Sequence, residues 1–525
     1  MSMTAVSEQI TKYQRTVAGL PEPVNLNESW LRRRIRNPFT WATLALLLVA
    51  IACFALFYFE MRTALMEQVA SVSAELSQPQ ELTKNQYYEA FWMGARLALP
   101  TLLVYVAIFF LIDRLRPTPI AMKLVALAWG AGISVLVSLQ LNTWMGTLVG
   151  VQGAGDPGTG DRSAIFVAPF VEEMSKSTIV LLLAIMLRYR LVTPLQTIPL
   201  AGLSAVGFAF TENILYYSRI WIYGSKITGQ NPVETLASNV FARGVLLSWG
   251  HPLFTSCVAI GVIIGIRQQS KLARILVPLT GFCLAATGHM TFNGIATVVG
   301  DVMSMVFLGV MLILTFGSWL WRQFAKERLR LAWRLDDYVR AGYLTERDPL
   351  VFCLLKNRCK LLLAAALRGW RCWSATSHFI SDLSELAYLR AAITQGLVAD
   401  ASRERELINS IEANRLLALT EVNGLKIKPE TWTINNIKFK ILSRLAWTRY
   451  RNAPPNSSDY PIPVGRYPAQ VSASQLPETS SYPPPYTISY PTPTSNAYPA
   501  ATPKRQLIRR KNPFATGSDH TSTRR

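Results

Sequence analysis

Residues 41–59 read WATLALLLVAIACFALFYF, nineteen residues without a charged side chain. A helix needs roughly 20 apolar residues to cross the hydrocarbon core of a bilayer, so this stretch predicts a membrane span. The polar stretch of about forty residues before it is too long for an ordinary signal peptide, and it lacks a small-residue cleavage site. We therefore expect the first span to be retained.

Seven similar apolar stretches follow the first one. The chain of 525 residues is 50% hydrophobic but only 16% charged, below the roughly 25% of charged residues in soluble domains. The fold predicted from this pattern is an all-α, polytopic membrane helix bundle of about eight spans. The predicted spans are Trp41–Phe59, Ala90–Ile112, Ala121–Leu148, Ser163–Leu187, Leu195–Tyr217, Val240–Ile266, Leu276–Val299 and Val302–Trp321.

Basic residues alternate along the connections between these spans. Arginines precede the first span, and basic residues follow the second, fourth, sixth and eighth, whereas the other connections are acidic or carry few charges. Cytoplasmic loops collect Lys and Arg, so the pattern predicts a multi-pass protein of the cell membrane with both termini in the cytoplasm. The net charge of +21 also suits contact with anionic lipid of the bilayer. No nucleic-acid-binding module is recognisable, so we expect no nucleic acid partner.

Composition divides the chain into four segments. We predict a cytoplasmic N-terminal segment at 1–38, a transmembrane domain at 39–321, a basic cytoplasmic region of amphipathic helices at 322–451, and a Pro-, Ser- and Tyr-rich tail at 452–525. The tail cannot bury enough apolar area to offset its ordering entropy, so we expect it to be disordered. The helical region could lie on the inner leaflet or bind a cytoplasmic partner, and the sequence does not choose between them.

The predicted fourth span contains ionisable residues, which cost about 2.5–3.5 kcal/mol each inside a bilayer and therefore need a reason. They are Glu172, Glu173 and Lys176, in the stretch Val-Glu-Glu-Met-Ser-Lys at 171–176. Glu172 and Lys176 stand four residues apart on one helix face, and Glu173 is three residues from the same lysine. A structural ion pair would be enough to explain this motif alone.

The next three spans carry further polar residues. These are Glu212 and Asn213 in the fifth span, Arg243 and His251 in the sixth, and His289 and Asn293 in the seventh. Counted from the outer ends of their spans, the carboxylates and histidines lie roughly 8–16 Å below the outer surface. Four consecutive helices thus bring polar residues to one depth, which predicts a single site. We interpret Arg243 as an interfacial anchor or as a partner for a carboxylate of that site.

The chemistry that such residues favour is activation of water. A carboxylate held in an apolar site can take a proton from water, and a histidine can share that proton or donate it to a leaving group. A His–Asn pair can stabilise an oxyanion. The serines near these residues lie in no recognisable nucleophile motif, which argues against a serine nucleophile.

The order Glu-Glu-x-x-Lys, Phe-x-x-x-Glu-Asn, a span histidine and His-x-x-x-Asn resembles the PrsW family of bacterial membrane proteases. That family is similar to the CAAX prenyl endopeptidases and to bacteriocin-processing membrane proteases. The resemblance extends from about the third span to the seventh, under half of the chain. The matching residues are Glu172, Glu173, Lys176, Phe208, Glu212, Asn213, His251, His289 and Asn293.

The resemblance implies a glutamic-type intramembrane protease without a cofactor or a metal ion. A water activated by Glu172 or Glu173, with help from His251, would hydrolyse a peptide bond of a membrane-anchored protein such as an anti-sigma factor. His289 and Asn293 would lie on the oxyanion side, and Glu212 in the fifth span would be a second catalytic carboxylate. Supporting residues would be Lys176, Asn213, Phe208 and Arg243.

Two other functions remain open from the residues themselves. A proton-coupled transporter also places Glu, His and Lys within the membrane, although no internal repeat is visible in this chain. A zinc-dependent membrane protease could use the same glutamates and histidines as ligands, although no His-Glu-x-x-His motif is present. A non-catalytic scaffold that works through its tail is a further interpretation.

Overall fold

The computed structural model describes most of the chain up to residue 418. The described residues are 30–75, 80–148, 159–186, 191–228, 231–268, 270–299, 302–345, 348–394, 401–415 and 417–418. Most of the predicted N-terminal segment, the last part of the predicted helical region and the whole predicted tail at 452–525 lie outside the described residues.

The described part of the chain is built from α-helices and short π-helical segments, with no strand, which confirms the all-α prediction. The helices before residue 300 are α1 (Trp30–Arg36), α2 (Pro38–Glu75), α3 (Lys84–Ile112), α4 (Ile120–Ala128), α5 (Val135–Leu148), α6 (Thr159–Phe166), α7 (Ala168–Met186), α8 (Pro194–Tyr223), α9 (Pro232–Phe241), α10 (Gly250–Gly265) and α11 (Lys271–Gly294). The later helices are α12 (Val302–Arg340), α13 (Asp348–Cys353), α14 (Leu355–Leu367), α15 (Trp370–Thr394) and α16 (Ala401–Arg415). The π-helical segments are Trp129–Ser134, Gly224–Thr228, Ala242–Leu246 and Ile295–Val299.

Seven helical stretches in the described residues are long and apolar enough to cross a membrane. The chain is therefore a multi-pass membrane protein, and the number of spans agrees approximately with the predicted eight. These stretches are Pro38–Glu75, Lys84–Ile112, Ile120–Met145, Pro194–Ile227, Pro232–Gly265, Lys271–Val298 and Val302–Arg340.

The predicted span that is missing from these seven is Ser163–Leu187, which contains α6 and α7. The reason is its charge, because the 19-residue α7 carries three ionisable residues within its first three turns. One face of α7 is nevertheless exposed and apolar, with Phe170, Met174, Leu181 and Ile185 at helical spacing. An apolar exposed face of this kind suits contact with lipid.

The helix α8 lies at the centre of the bundle, and most of its residues are buried. It contacts α3, α4, α7, α9 and α10, while α7 also contacts α5, α10 and α11. Small residues allow the closest approach, since a Cβ atom added at Gly130 would come within 1.8 Å of the carbonyl oxygen of Ser204. This packing holds α7 between the helices that carry the other polar residues.

The helix α12 continues without a break through the predicted domain boundary at 321–322. Its second half joins α13–α16 in a separate hydrophobic core that includes Leu335, Tyr338, Phe379, Leu383 and Ile411. The amphipathic pattern at 385–419 thus corresponds to the end of α15 and to α16.

Candidate active site

The side chain of Lys176 lies at the centre of the polar cluster. Its Nζ atom is 2.8 Å from Oε1 of Glu173, 3.3 Å from Oε2 of Glu172 and 2.9 Å from Nδ1 of His251. The same ammonium lies 4.4 Å from the centre of the Phe208 ring, within the range of a cation–π contact. A buried charge requires such compensation, and Lys176 is fully buried.

Glu173 is buried and hydrogen-bonded at both carboxylate oxygens. Oε1 lies 2.8 Å from Lys176 Nζ and 3.1 Å from Nδ1 of His289, and Oε2 accepts a hydrogen bond of 2.7 Å from the hydroxyl of Thr255. Its side chain has no exposed surface. Glu173 therefore holds its neighbours in place and is not accessible to a substrate.

Glu172, in contrast, faces a cavity. Its Oε2 atom lies 4.0 Å from Nε2 of His289. Because hydrogen bonds to water are about 2.8 Å long, one water molecule could bridge these two atoms. Of the two adjacent glutamates, Glu172 is the one placed to act on a water molecule.

His251 lies in the first turn of α10 and connects the ammonium of Lys176 to the carboxylate of Glu212. A lysine ammonium can only donate, so Nδ1 accepts the hydrogen bond from Lys176, and Nε2 of the neutral ring carries the proton. That Nε2 atom lies 2.9 Å from Oε2 of Glu212. The positive end of the α10 helix dipole also favours a carboxylate at this position.

Arg243 lies in the π-helical segment between α9 and α10. Its Nη2 atom is 3.1 Å from Oε2 of Glu212, and its Nε donates to Oδ1 of Asn213 at 3.2 Å. The guanidinium lies 3.8 Å from the centre of the Tyr216 ring. Of the two interpretations given above, the structure places Arg243 as a partner of a site carboxylate.

Asn293 lines the cavity, but its amide is already engaged. Nδ2 donates a hydrogen bond of 2.8 Å to the carbonyl oxygen of Ala164 in α6. The amide therefore connects α11 to α6, and its second N–H remains as a donor for a ligand in the cavity.

The cavity has a volume of about 350 Å³ and is lined by both polar and apolar residues. The polar lining includes Glu172, Glu212, His251, His289, Arg243, Asn213 and Asn293. The apolar lining includes Val206, Phe210, Leu247, Phe254, Phe292 and Met305. Catalytic and binding sites combine an apolar lining with a few convergent polar groups in this way.

The predicted polar residues of four spans thus meet in one place, carried by α7, α8, α10 with its preceding π-helical segment, and α11. Sequence reasoning missed Thr255 and Tyr216. Thr255 stands four residues after His251 and therefore on the same helix face, which is a signal that could have identified it. The stacking of Tyr216 on Arg243 had no comparable signal.

The serines near the site are not placed as nucleophiles. The hydroxyl of Ser175 lies 2.7 Å from the hydroxyls of both Ser134 and Ser138, and Ser204 donates to the carbonyl oxygen of Lys176. None of these four serines lines the cavity. Ser248 does line it, but its hydroxyl donates to the carbonyl oxygen of Val245 at 3.1 Å and lies 3.2 Å from the hydroxyl of Tyr105, with no histidine or lysine of the described residues as a base.

Three residues of the site could hold a metal ion. Glu172, His251 and His289 each offer one ligand atom, and these atoms lie within 4.8 Å of one another. One carboxylate and two histidines form a known ligand set of catalytic zinc. The Glu173–His289 contact also matches the carboxylate that orients a metal-bound histidine. The donors therefore fit a metal ion in type and spacing, although the ammonium of Lys176 lies among them and would repel a divalent cation.

The comparison with protein families gives a match over residues 118–319, under half of the chain, to the PrsW family intramembrane metalloproteases. We use the name PrsW-family domain for the residues that this family model matches. The match supports a protease activity and contains every residue of the polar cluster described above. No curated protein and no solved structure matches the chain. The PrsW-family domain begins before α4 and ends in the first half of α12, so the helices α13–α16 lie outside it.

Proposed function

We propose that the chain is an intramembrane protease that activates water with the carboxylate of Glu172. The observation that carries the proposal is the contrast between the two adjacent glutamates. Glu172 faces the cavity opposite His289, whereas Glu173 is enclosed and hydrogen-bonded at both oxygens. The family match supports the reaction class, and this contrast supports Glu172 as the base.

In the proposed reaction Glu172 takes a proton from a water molecule, whose oxygen then forms a bond to the scissile carbonyl carbon. The C–N bond breaks as the same proton passes to the leaving amine. His289, whose Nδ1–H is donated to Glu173, keeps a lone pair at Nε2 when neutral and would accept a hydrogen bond from the same water.

Stabilisation of the oxyanion falls to the donors that line the cavity. The Nε2–H of neutral His251 would turn from Glu212 to the oxyanion, and Arg243 adds a guanidinium that also pairs with Glu212. Asn293 would contribute the second N–H of its amide while the first stays bonded to Ala164. On this proposal His251 stands on the oxyanion side and His289 on the side of the water.

The proposed substrate is a membrane-anchored protein, such as a regulator of the anti-sigma-factor type. A cavity within a bundle of spans is accessible to a segment that itself lies in or beside the bilayer. We also propose that both termini are cytoplasmic, because α7 would bring the seven apolar stretches to eight spans and every second connection between the predicted spans is basic. Reporter fusions at each end of the chain test the orientation.

The experiment that tests the protease compares membrane proteomes of cells with the wild-type chain and with Glu172→Gln, at matched expression. Fragments of single-pass proteins should appear with the wild type and be missing with Glu172→Gln. Glu234→Gln is the matched control, because it removes an exposed carboxylate in α9 that does not line the cavity. Identical fragment profiles in all three strains, with the variant folded and inserted, would contradict the proposal.

A second candidate is a metal-dependent form of the same protease, favoured by the ligand set of Glu172, His251 and His289. These residues would hold the ion, which would supply Lewis-acid activation of water and of the scissile carbonyl. Glu173 would then orient His289, and Lys176 would have to move or lose its proton.

Metal content separates the two mechanisms without reference to activity. The Glu172 proposal predicts purified protein with much less than one equivalent of zinc, and fragment production that survives chelation. A zinc site predicts about one equivalent in the wild type, lost in His289→Gln and retained in Glu234→Gln.

A further inference from the structure

The helices α14 and α15 form a hairpin whose tip is exposed and apolar. The tip surface comprises Leu363, Leu367 and Trp370, which are 67%, 84% and 74% exposed. Gly369 makes the turn between the helices with φ of 103°, a conformation that favours glycine. Three large apolar side chains exposed together outside the spans need a partner.

Basic residues surround this apolar tip. Lys360, Arg368 and Arg371 are all exposed. No Asp or Glu occurs between residues 349 and 381. The tip therefore combines Leu and Trp side chains with a purely cationic rim, the composition of segments that lie in the interface of an anionic bilayer.

The base of the same hairpin is held close to the end of a span. Arg358 in α14 donates to the carbonyl oxygens of Arg114 and Leu115, and Glu385 in α15 pairs with Arg116 at 3.1 Å. Helix α3, one of the seven apolar stretches, ends at Ile112, two residues before Arg114. The hairpin thus begins at the level of the membrane surface.

The direction of α15 follows from two neighbouring contacts. Tyr388 hydrogen-bonds Glu327, and Arg390 pairs with Asp337 at 3.0 Å. Tyr388 and Arg390 are only two residues apart on α15. Their partners on α12 are ten residues apart, about 15 Å along that helix. The helices therefore cross steeply, and because α12 continues a span, α15 extends across the membrane surface.

The tip of the hairpin also points toward the membrane surface. Arg371 lies fourteen residues before Glu385 in α15. At 100° per residue the two side chains leave the helix axis in directions about 40° apart, so they lie on the same face. Trp370 lies within about 60° of that face by the same count. The face of α15 that contacts the membrane-proximal Arg116 therefore presents Trp370 and Arg371 at its other end.

We propose that this hairpin tip is a membrane anchor: Leu363, Leu367 and Trp370 enter the headgroup region of the leaflet at which α12 emerges, and Lys360, Arg368 and Arg371 bind anionic headgroups. Trp370 stacks on Trp373 at 4.8 Å, so its ring is held in a fixed position for this contact. Each cation near an anionic surface favours association by roughly a factor of five. The anchor is independent of peptide hydrolysis.

The test uses the full chain in nanodiscs of phosphatidylcholine, alone or mixed with phosphatidylglycerol. A spin label on Ala366→Cys, an exposed position between Leu363 and Leu367, reports the position of the tip after Cys283→Ser and Cys359→Ser have removed the exposed thiols. The spin label should collide more often with dissolved oxygen than with a water-soluble nickel complex. This difference should be larger in nanodiscs that contain phosphatidylglycerol. The Cys283→Ser/Cys359→Ser chain gives the background, and Glu412→Cys in that chain places a label on an exposed position of α16 that should stay in water.

The charge-removal variant Lys360→Gln/Arg368→Gln/Arg371→Gln should abolish the effect of phosphatidylglycerol on the label. Hydrogen exchange of the unmodified wild type supplies a second measurement, in which amides 367–371 should exchange more slowly with phosphatidylglycerol present. A label that is equally exposed to nickel in both lipids, with unchanged exchange, overturns the proposal. Dipolar broadening between two copies in one disc would also overturn it, because it would assign the tip to a dimer.

Discussion

Thr255 donates its hydroxyl hydrogen to Oε2 of Glu173 at 2.7 Å, from a position one helical turn after His251. The other oxygen of the same carboxylate, Oε1, accepts hydrogen bonds from Lys176 and His289. A single threonine therefore completes the set of partners that fixes Glu173. Through Glu173 it fixes the ring of His289 opposite Glu172.

Thr255→Val should reduce fragment production by roughly tenfold or more, because it leaves an oxygen of a buried carboxylate without a donor while the side-chain shape is kept. Thr255→Ser retains the hydroxyl and should restore most of the activity. The measurement is the fragment yield at equal amounts of inserted protein. If the valine and serine variants behave alike, the hydroxyl has no positioning role.

Glu172→Gln and Glu173→Gln should fail in different ways. Glu172 faces the cavity, so its glutamine variant should keep the thermal stability of the wild type and lose the fragments. Glu173→Gln leaves the buried Lys176 without its closest counter-charge, a loss that costs about 3–5 kcal/mol in buried ion pairs.

Thermal unfolding in detergent separates the two variants, with a lower midpoint expected for Glu173→Gln alone. A stable but inactive Glu173→Gln together with a strongly destabilised Glu172→Gln would reverse the roles assigned to the two glutamates.

The sequence was sufficient to predict the helical membrane fold and the meeting of four polar motifs, because both depend on local patterns. An ionisable residue in an apolar stretch is visible without a structure, as for Glu172 and Glu212. The span at 163–187 illustrates the limit of such patterns. The charges that identify the site are those that make α7 less apolar than its neighbours.

Other features depended on contacts that no spacing encodes. The sequence could not choose between Glu172 and Glu173, since which of two adjacent residues faces a cavity depends on the rotation of α7 against α8 and α10. Nor did it predict that Asn293 bonds to Ala164, because the partner is a backbone carbonyl in another helix. Backbone acceptors are present at every position and leave no trace in the residue types.

Arg243 should act through both of its neighbours, Glu212 and Asn213. Arg243→Lys keeps the charge but cannot supply the same planar set of donors, so activity should fall less than in Arg243→Gln. In a double-mutant cycle, Glu212→Gln combined with Arg243→Gln should cost less than the sum of the single changes, with a coupling of about 0.5–3 kcal/mol. The cycle is measured on fragment yield. Additive effects would show that the 3.1 Å pair carries no function.

Arg358 should determine whether the C-terminal helices stay attached to the loop that follows α3. It is 5% exposed and donates to the carbonyl oxygens of Arg114, Leu115 and Phe352 and to the hydroxyl of Ser384. Arg358→Met leaves these acceptors buried and unpaired, which costs about 1–3 kcal/mol. Local opening should then expose the loop after α3.

Trypsin reports this opening directly, because Arg114 and Arg116 lie in that loop. Cleavage there should be roughly 5- to 150-fold faster in Arg358→Met than in the wild type, because the rate follows the equilibrium constant for opening and a loss of about 1–3 kcal/mol raises that constant by this factor. Lys326→Met is the matched control, since it removes an exposed cation from the neighbouring part of α12 and should leave the rate unchanged. Equal cleavage rates in the two variants would mean that Arg358 is not what holds the hairpin against the loop.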